Sequence, residues 1–462
     1  MSPKITFIGG GSYQWGPKLL LDIANTPSLQ HAEIVLQDID PTPLPKMLAF
    51  LEHVVATRKI GWRCSATTDQ RAALANADYV IVCISTGGLE SMAYDIDIPA
   101  RYGIKQSVGD SVGPGGVNRG LRNIPILVNI ARDMQELCPH AWLLNLTNPM
   151  TTLTRSVLST TEIEAIGLCH EVTMAQFHLS MLLDCDMRSM ELTVCGVNHL
   201  PLITALDITQ PDGDVIDGLS LLADKLDEPD TFGEEILHLP QMMGGHETST
   251  SGGAFTKHAL LNEHRVKFEL FRRFGALPAA GDRHLVEFFP GFLTEQSDWG
   301  ARWGVQLTSM DDRRAWQDHY IGELNKFMAM SEIPVEHSGE MVASLIDARR
   351  RDRPRSYPLN IGNVGQCPDL GDDVVVESMC TVDGDGVHPD TQAYAPTLLG
   401  EYLRRVSASQ ELVVEAALSG ERQLAFEAML ADPLASRIDY DDVWAMTNDL
   451  IDATAQWLPQ FS

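Results

Sequence analysis

The chain has 462 residues, 44% of them hydrophobic and 21% charged, with a net charge of −29 and a pI near 4.7. That length exceeds one ordinary core and predicts two lobes, and the composition is that of a folded soluble protein. So acidic a chain lacks the basic footprint that nucleic acid needs, and no apolar run reaches the length of a membrane helix. The N-terminus runs from Met1-Ser2-Pro3-Lys4 straight into a strand, without signal-peptide features. Eight scattered cysteines with no C-x-x-C pair predict reduced thiols and a cytoplasmic location.

Lys4 to Ile8 reads as a buried strand, followed by Gly9-Gly10-Gly11-Ser12 and a helix from Gly16 with proline in its first turn. Strand, glycine turn and helix are the setting of a dinucleotide site, where the turn admits the pyrophosphate and the helix N-terminus attracts its charge. The spacing is irregular, because Gln14 stands where a strict G-x-G-x-x-G has glycine. The second strand, Glu33 to Leu36, ends in Gln37-Asp38-Ile39-Asp40. Asp38 is placed to hold the ribose hydroxyls and to repel a 2′-phosphate, which predicts NAD over NADP. Asp78 to Ile84 is a further strand leading to Ser85-Thr86-Gly87-Gly88. Asn123 to Leu137 has helical periodicity, and Ala141 to Leu144 is a strand leading to Asn145-Leu146-Thr147-Asn148-Pro149. Thr86 and Asn145 are expected to face the cofactor. Ala165 to Leu168 delivers Cys169-His170-Glu171-Val172, a thiol beside an imidazole that suits a borderline transition metal, with Glu171 adding a hard oxygen.

Strands alternating with helices predict an α/β fold, a Rossmann-like doubly wound parallel sheet over residues 1–200. Residues 201–462 are expected to form a mixed α+β domain that completes the site. Within it, Pro201 to Asp230 reads as short strands and turns, and Met242 to Gly245 with Thr248 to Gly253 as a small-residue loop free to move. Val266 to Phe274 reads as an amphipathic helix ending at Gly275, Asp373 to Glu377 as a strand, and residues 391–457 as mostly helical.

Taken together, Ile8-Gly9-Gly10-Gly11-Ser12, Leu36-Gln37-Asp38-Ile39-Asp40, Thr147-Asn148-Pro149, Cys169-His170, Gly196-Val197-Asn198-His199, Gly281-Asp282 and Asp373-Val374-Val375-Val376-Glu377 resemble glycoside hydrolase family 4 over nearly the whole chain. This family departs from the two-carboxylate scheme of most glycosidases. The resemblance implies NAD and a divalent metal, usually Mn2+, in a homodimer or homotetramer. It implies oxidation at carbon 3 of the sugar, loss of the carbon 2 proton, elimination of the aglycone at carbon 1, water addition and re-reduction, with the metal acting as Lewis acid.

The resemblance assigns Cys169 and His199 to the metal, His170 to protonation of the leaving oxygen, Asn148 to substrate hydroxyls and Asp282 to the carbon 2 proton. His170 also fits a metal-ligand role, Asp282 a helix cap, and Asp110 falls in an acidic region near the site. Phospho-sugar members carry a tyrosine near Asp282, and none stands between Asp282 and Phe292 here. Cys169-His170-Glu171-Val172 is similar to the α-galacturonidase version of the motif, which implies a disaccharide or oligosaccharide uronide as substrate. Arg283, with His284, is the expected grip on the carboxylate; the alternative for Arg283 is an ion pair with Glu287. An α-glucuronidase or a neutral α-glycosidase of the same family is the next reading. A net NAD-dependent sugar dehydrogenase is the runner-up of another class, and Cys169, His170 and His199 speak against it.

Overall fold

The computed structural model describes residues 2–228, Phe232, 236–237, 255–390 and 392–461. The small-residue loop expected at 242–253 lies outside the described residues.

Strands β1 (Lys4–Ile8), β2 (Glu33–Gln37), β3 (Arg63–Thr67), β4 (Tyr79–Val82), β5 (Trp142–Asn145) and β6 (Ala165–Gly167) pair in parallel, in the order β3-β2-β1-β4-β5-β6. Tyr79-Val80-Ile81-Val82 is buried throughout, as a strand covered by helices on both faces must be. The strand order reverses between β1 and β4, which opens a crevice at the C-terminal strand ends. The expected doubly wound sheet is therefore present.

A second, antiparallel sheet is built from β7 (Met190–Val197), β8 (Leu200–Thr209) and β9 (Val215–Asp217). After a short pairing of β10 (Ile236–Leu237) with β11 (Phe255–Thr256), this sheet is completed by β12 (Leu277–Pro278) against β8. Of the stretch Pro201 to Asp230, the described residues, to Glu228, form one long strand, a short one and the helix Gly218–Asp227, where a mixture of short strands and turns was expected. The amphipathic helix runs over Arg265–Phe274 and stops at Gly275 in the left-handed conformation, as its sequence predicts.

The expected division at residue 200 does not divide the sheets. β13 (Arg355–Gly362), β14 (Val375–Asp383) and β15 (Gly386–Pro389) continue the first sheet antiparallel from β6, giving nine strands among the described residues. A parallel sheet ending at β6 would leave an unpaired edge, and the distant hairpin covers it. The C-terminal helices join the same core: Leu121 and Ile124, on the helix Gly113–Leu137, cluster with Leu403, Val406 and Val413 of Thr397–Ser419. The opposite face is covered by the helices Gly16–Asn25, Leu44–Arg58 and Val342–Arg351. None of the described helices is long and apolar enough to cross a membrane.

Candidate active site

A cleft of about 1240 Å³ runs along the C-terminal ends of the parallel strands, room for a dinucleotide and a sugar together. At one end lies the glycine turn. Gly9 has φ +85°, and a Cβ there would stand 2.0 Å from the Cys83 carbonyl oxygen of the neighbouring strand. A Cβ on Gly11 would meet Pro43 at 2.3 Å and Asp38 Oδ2 at 2.8 Å. The turn is therefore pressed against two strand ends, and only glycine allows it. Gly9 and Gly10 donate their N–H groups to the Gln37 carbonyl, at 2.9 and 2.8 Å, and Gly11 donates to Asp38 Oδ2 at 2.9 Å.

Gly9, Gly11, Ser12, Asp38 and Thr86 all line the cleft. Gly10 does not; it packs behind the turn on Leu36. Asn145, also expected to face the cofactor, is not among the cleft-lining residues either. It is fully buried, its Oδ1 accepts from the Thr147 N–H at 2.9 Å, and its Nδ2 donates to the Thr147 carbonyl and the Thr154 hydroxyl. The side chain shapes the turn that carries Asn148.

At the other end Asp110, His199 and His284 converge, with one ligand atom from each lying within 4.8 Å of the others. His199 sits in the two-residue turn between β7 and β8 with φ +64°, a conformation uncommon for a non-glycine residue and found at sites where function fixes the backbone. Its ring stacks on that of His284, centroids 3.7 Å apart. The Ser111 hydroxyl donates to Asp110 Oδ1 at 2.8 Å and lies 2.8 Å from His199 Nδ1. A hydroxyl has one proton; with that given to Asp110, it accepts from Nδ1–H, which leaves Nε2 of His199 with a lone pair. Burial favours the neutral Asp110 carboxyl, but His284, Arg119, His199 and the Ser111 hydroxyl hold it well below the usual carboxylate range. One ionised carboxylate and two imidazoles suit a divalent transition ion such as Mn2+.

His284, expected with Arg283 at a substrate carboxylate, lies against His199 and Asp110. Cys169, expected beside His199 on the metal, is outside the three-residue group although it lines the same cleft. Burial pushes its thiol well up, helped by Glu377 and Glu171, while the Glu171 N–H and the Asn198 side chain favour the thiolate. The sequence flagged Asp110 only loosely, because the triad is drawn from three separate segments with no local spacing to betray it.

Asn148 lines the cleft and donates from Nδ2 to Asp110 Oδ2 at 3.2 Å; its Oδ1 is buried with no partner among the described residues. Asp282 also lines the cleft, and its two oxygens accept the N–H groups of Val266 at 2.7 Å and Lys267 at 2.9 Å. It caps the start of the preceding helix, Arg265–Phe274. Burial pushes its carboxyl up to about 7, against those two N–H groups and the Lys267 ammonium. Arg283 makes no pair with Glu287. It donates to the Thr308 hydroxyl and lies 6.0 Å from the Trp316 ring centroid, while Glu287 accepts from Val108 and Gly109 at 2.8 and 2.9 Å.

The structure adds cations that the sequence did not single out. Arg119 donates from Nε to the Asn148 carbonyl at 2.9 Å. Arg313 donates to the Val108 carbonyl, and its buried Nε has no partner among the described residues. Burial disfavours the charge on both, Asp110 favours it, and neighbouring arginines work against it. His170 lies at the cleft wall with Nδ1 3.2 Å from Glu340 Oε1.

Residues 4–185 match the model described as family 4 glycosyl hydrolase, and residues 194–435 that of the family 4 glycosyl hydrolase C-terminal domain. An α-galacturonidase of Bacillus subtilis (strain 168) is 32% identical, with 98% of each chain covered. An α-galactosidase of the same strain is 30% identical over 99% of each. The crystal structure of lplD from Bacillus subtilis superposes with a TM-score of 0.84 at 31% identity, covering 97% of this chain and 99% of that one. A 6-phospho-α-glucosidase from gut microorganisms, solved with NAD and Mn2+, shares the fold with a TM-score of 0.80 at 18% identity, all of both chains covered. With a dinucleotide-type crevice, a carboxylate–imidazole triad and both family models in register, the chain belongs to glycosyl hydrolase family 4.

Proposed function

We propose that this family 4 glycosyl hydrolase cleaves α-linked hexuronides, galacturonides foremost, using NAD and a divalent ion, Mn2+ by preference. The observation that carries the substrate class is the group of guanidiniums at the triad. Arg119, Arg283 and Arg313 come from three different helices and face one cleft in a chain of net charge −29. Crowding half-buried cations is unfavourable without an anion to share, and a uronate carboxylate is such an anion. α-Galacturonidases among the relatives at 30–32% identity support the same reading.

The glycine turn and Asp38 would hold NAD, and Asp110, His199 and His284 the ion, with Cys169 close by. When bound, these groups supply a reversible hydride acceptor and a Lewis acid for the sugar oxygens. The chain's own residues do the rest. The free Oδ1 of Asn148 takes a sugar hydroxyl, and the arginines orient the carboxylate. Asp282 receives the carbon 2 proton, each oxygen keeping a lone pair beyond the N–H it accepts. His170 gives a proton to the leaving oxygen.

A neutral α-galactoside is the second reading, favoured by the α-galactosidase relative. Aryl α-galacturonide, α-glucuronide, α-galactoside, α-glucoside and their 6-phosphates, assayed with NAD, Mn2+ and reductant, separate the two. Preference for the galacturonide with no net NADH formed is the expected result. Equal cleavage of the neutral galactoside would remove the uronate assignment, and stoichiometric NADH would make the protein a dehydrogenase.

A further inference from the structure

His170 is the last residue before the helix Glu171–Leu183, and its ring is a third exposed to the cleft. Two carboxylates face it. Glu171 Oε1 is 3.9 Å from Nε2, beyond hydrogen-bond range, whereas Glu340 Oε1 is 3.2 Å from Nδ1. The Glu340 side chain is only 10% exposed. Its backbone is fixed in turn. The Glu340 N–H donates to the Ser338 hydroxyl at 3.1 Å, the Ser338 N–H donates to Asp22 Oδ1 at 2.9 Å, and the Ser338 hydroxyl donates to Asp22 Oδ2. Asp22 is buried on the first helix, Gly16–Asn25, so the strap carrying Glu340 is tied to the dinucleotide-binding half. Lys18, on the same helix, holds its ammonium 5.4 Å from the Tyr320 ring centroid; burial disfavours its charge, and Glu340 and Asp22 favour it. Trp15 backs the imidazole, ring centroids 6.5 Å apart.

We propose that Glu340 is the positioning residue of His170: it accepts Nδ1–H, fixes the ring's orientation, and keeps Nε2 turned toward the glycosidic oxygen. This rests on the reading above that His170 protonates the leaving group. In that step a base takes the carbon 2 proton and the freed electron pair forms the carbon 1–carbon 2 double bond. The carbon 1–oxygen bond breaks toward oxygen, and the Nε2 proton moves onto that oxygen so that the aglycone leaves as a neutral alcohol. Nδ1–H stays on Glu340, which stabilises the imidazolium before the transfer and sets the tautomer after it.

The test is leaving-group dependence in the holoenzyme. A dinitrophenol needs no proton to depart, whereas methanol or a sugar does. His170→Ala and Glu340→Ala should both lose roughly 100-fold or more in kcat/KM on methyl and sugar α-galacturonides while the dinitrophenyl substrate is little affected. Glu340→Asp should recover part of the loss. Nitrogen NMR of labelled histidine should show His170 leave the Nδ1–H form in Glu340→Ala. A uniform loss across leaving groups in Glu340→Ala, or none, together with an unchanged tautomer, overturns the inference and leaves His170 as the acid. A flat dependence in His170→Ala itself removes the acid assignment, and this inference with it.

Discussion

Ser111 Oγ stands 2.8 Å from His199 Nδ1 and 2.8 Å from Asp110 Oδ1, so one hydroxyl orients two members of the triad. Ligand orientation of this kind is worth 10- to 100-fold in metal affinity, by a rough general rule. Ser111→Ala should therefore weaken Mn2+ binding by about that factor without unfolding the protein. Titration of the free-ion electron paramagnetic resonance signal reads it directly. The same titration on His284→Ala and Cys169→Ser decides between the two donor sets. A loss confined to Cys169→Ser would place the ion by the thiol and away from the triad.

We propose that Asp38 sets the cofactor preference by charge and by place. Its oxygens accept the N–H groups of Gly11 at 2.9 Å and Asp40 at 3.0 Å, which aims the carboxylate at the cleft. Asp38→Ala should weaken NAD roughly tenfold and bring NADP to comparable affinity, as measured by equilibrium fluorescence with each reduced cofactor. A variant that keeps its full preference for NAD would show that the 2′-position is read elsewhere.

How much of this could be read in the chain follows from locality. Gly9, Gly11 and Asp38 were legible because a turn between a strand and a helix is a local object. That Cys169, His170 and Asn148 line the cleft was legible because each follows a strand end of the parallel sheet. Asp110, Arg119, Arg313 and Glu340 were not, since their meaning arises only when separate segments meet over the crevice. Arg313 and Glu340 come from a stretch in which the sequence analysis singled out no motif. The pairing across the sheet was hidden for the same reason: nothing in Arg355–Gly362 announces that its partner is β6.

Glu377 gives a prediction about stability. The side chain is fully buried, Oε2 accepts from Asn198 Nδ2 at 3.2 Å, and Oε1 has no partner among the described residues. Burial pushes its carboxyl from the ordinary 4.5 up to about 8, although Asn198 and Asn360 pull it down. The folded protein therefore holds this proton over a range where the unfolded chain has lost it. Stability from this group is fully present below about pH 4.5 and declines as the pH rises through about 8, with a slope approaching ~1.4 kcal/mol per pH unit. Glu377→Gln, which keeps a neutral amide in place of the neutral acid, should flatten that slope in metal-free protein between about pH 5 and about pH 8. Urea melts across the interval measure it, and an unchanged slope would mean that Glu377 is ionised in the folded state.

Asp282 is a helix cap in the structure and the base in the function proposed above, and one substitution can separate the two. Its carboxylate caps the helix Arg265–Phe274 through Val266 and Lys267, and it lines the cleft. Asp282→Ala removes the cap and should cost about 1–2 kcal/mol. Asp282→Asn keeps one acceptor oxygen and should cost less, yet an amide cannot take up a proton. The asparagine variant is then expected to fold and to retain NAD and Mn2+, while incorporation of deuterium at carbon 2 of the product falls to background. Nuclear magnetic resonance of product formed in heavy water reads that position directly. Exchange that persists at the wild-type level in a folded Asp282→Asn would reduce Asp282 to a cap and transfer the proton abstraction to another group on the cleft wall.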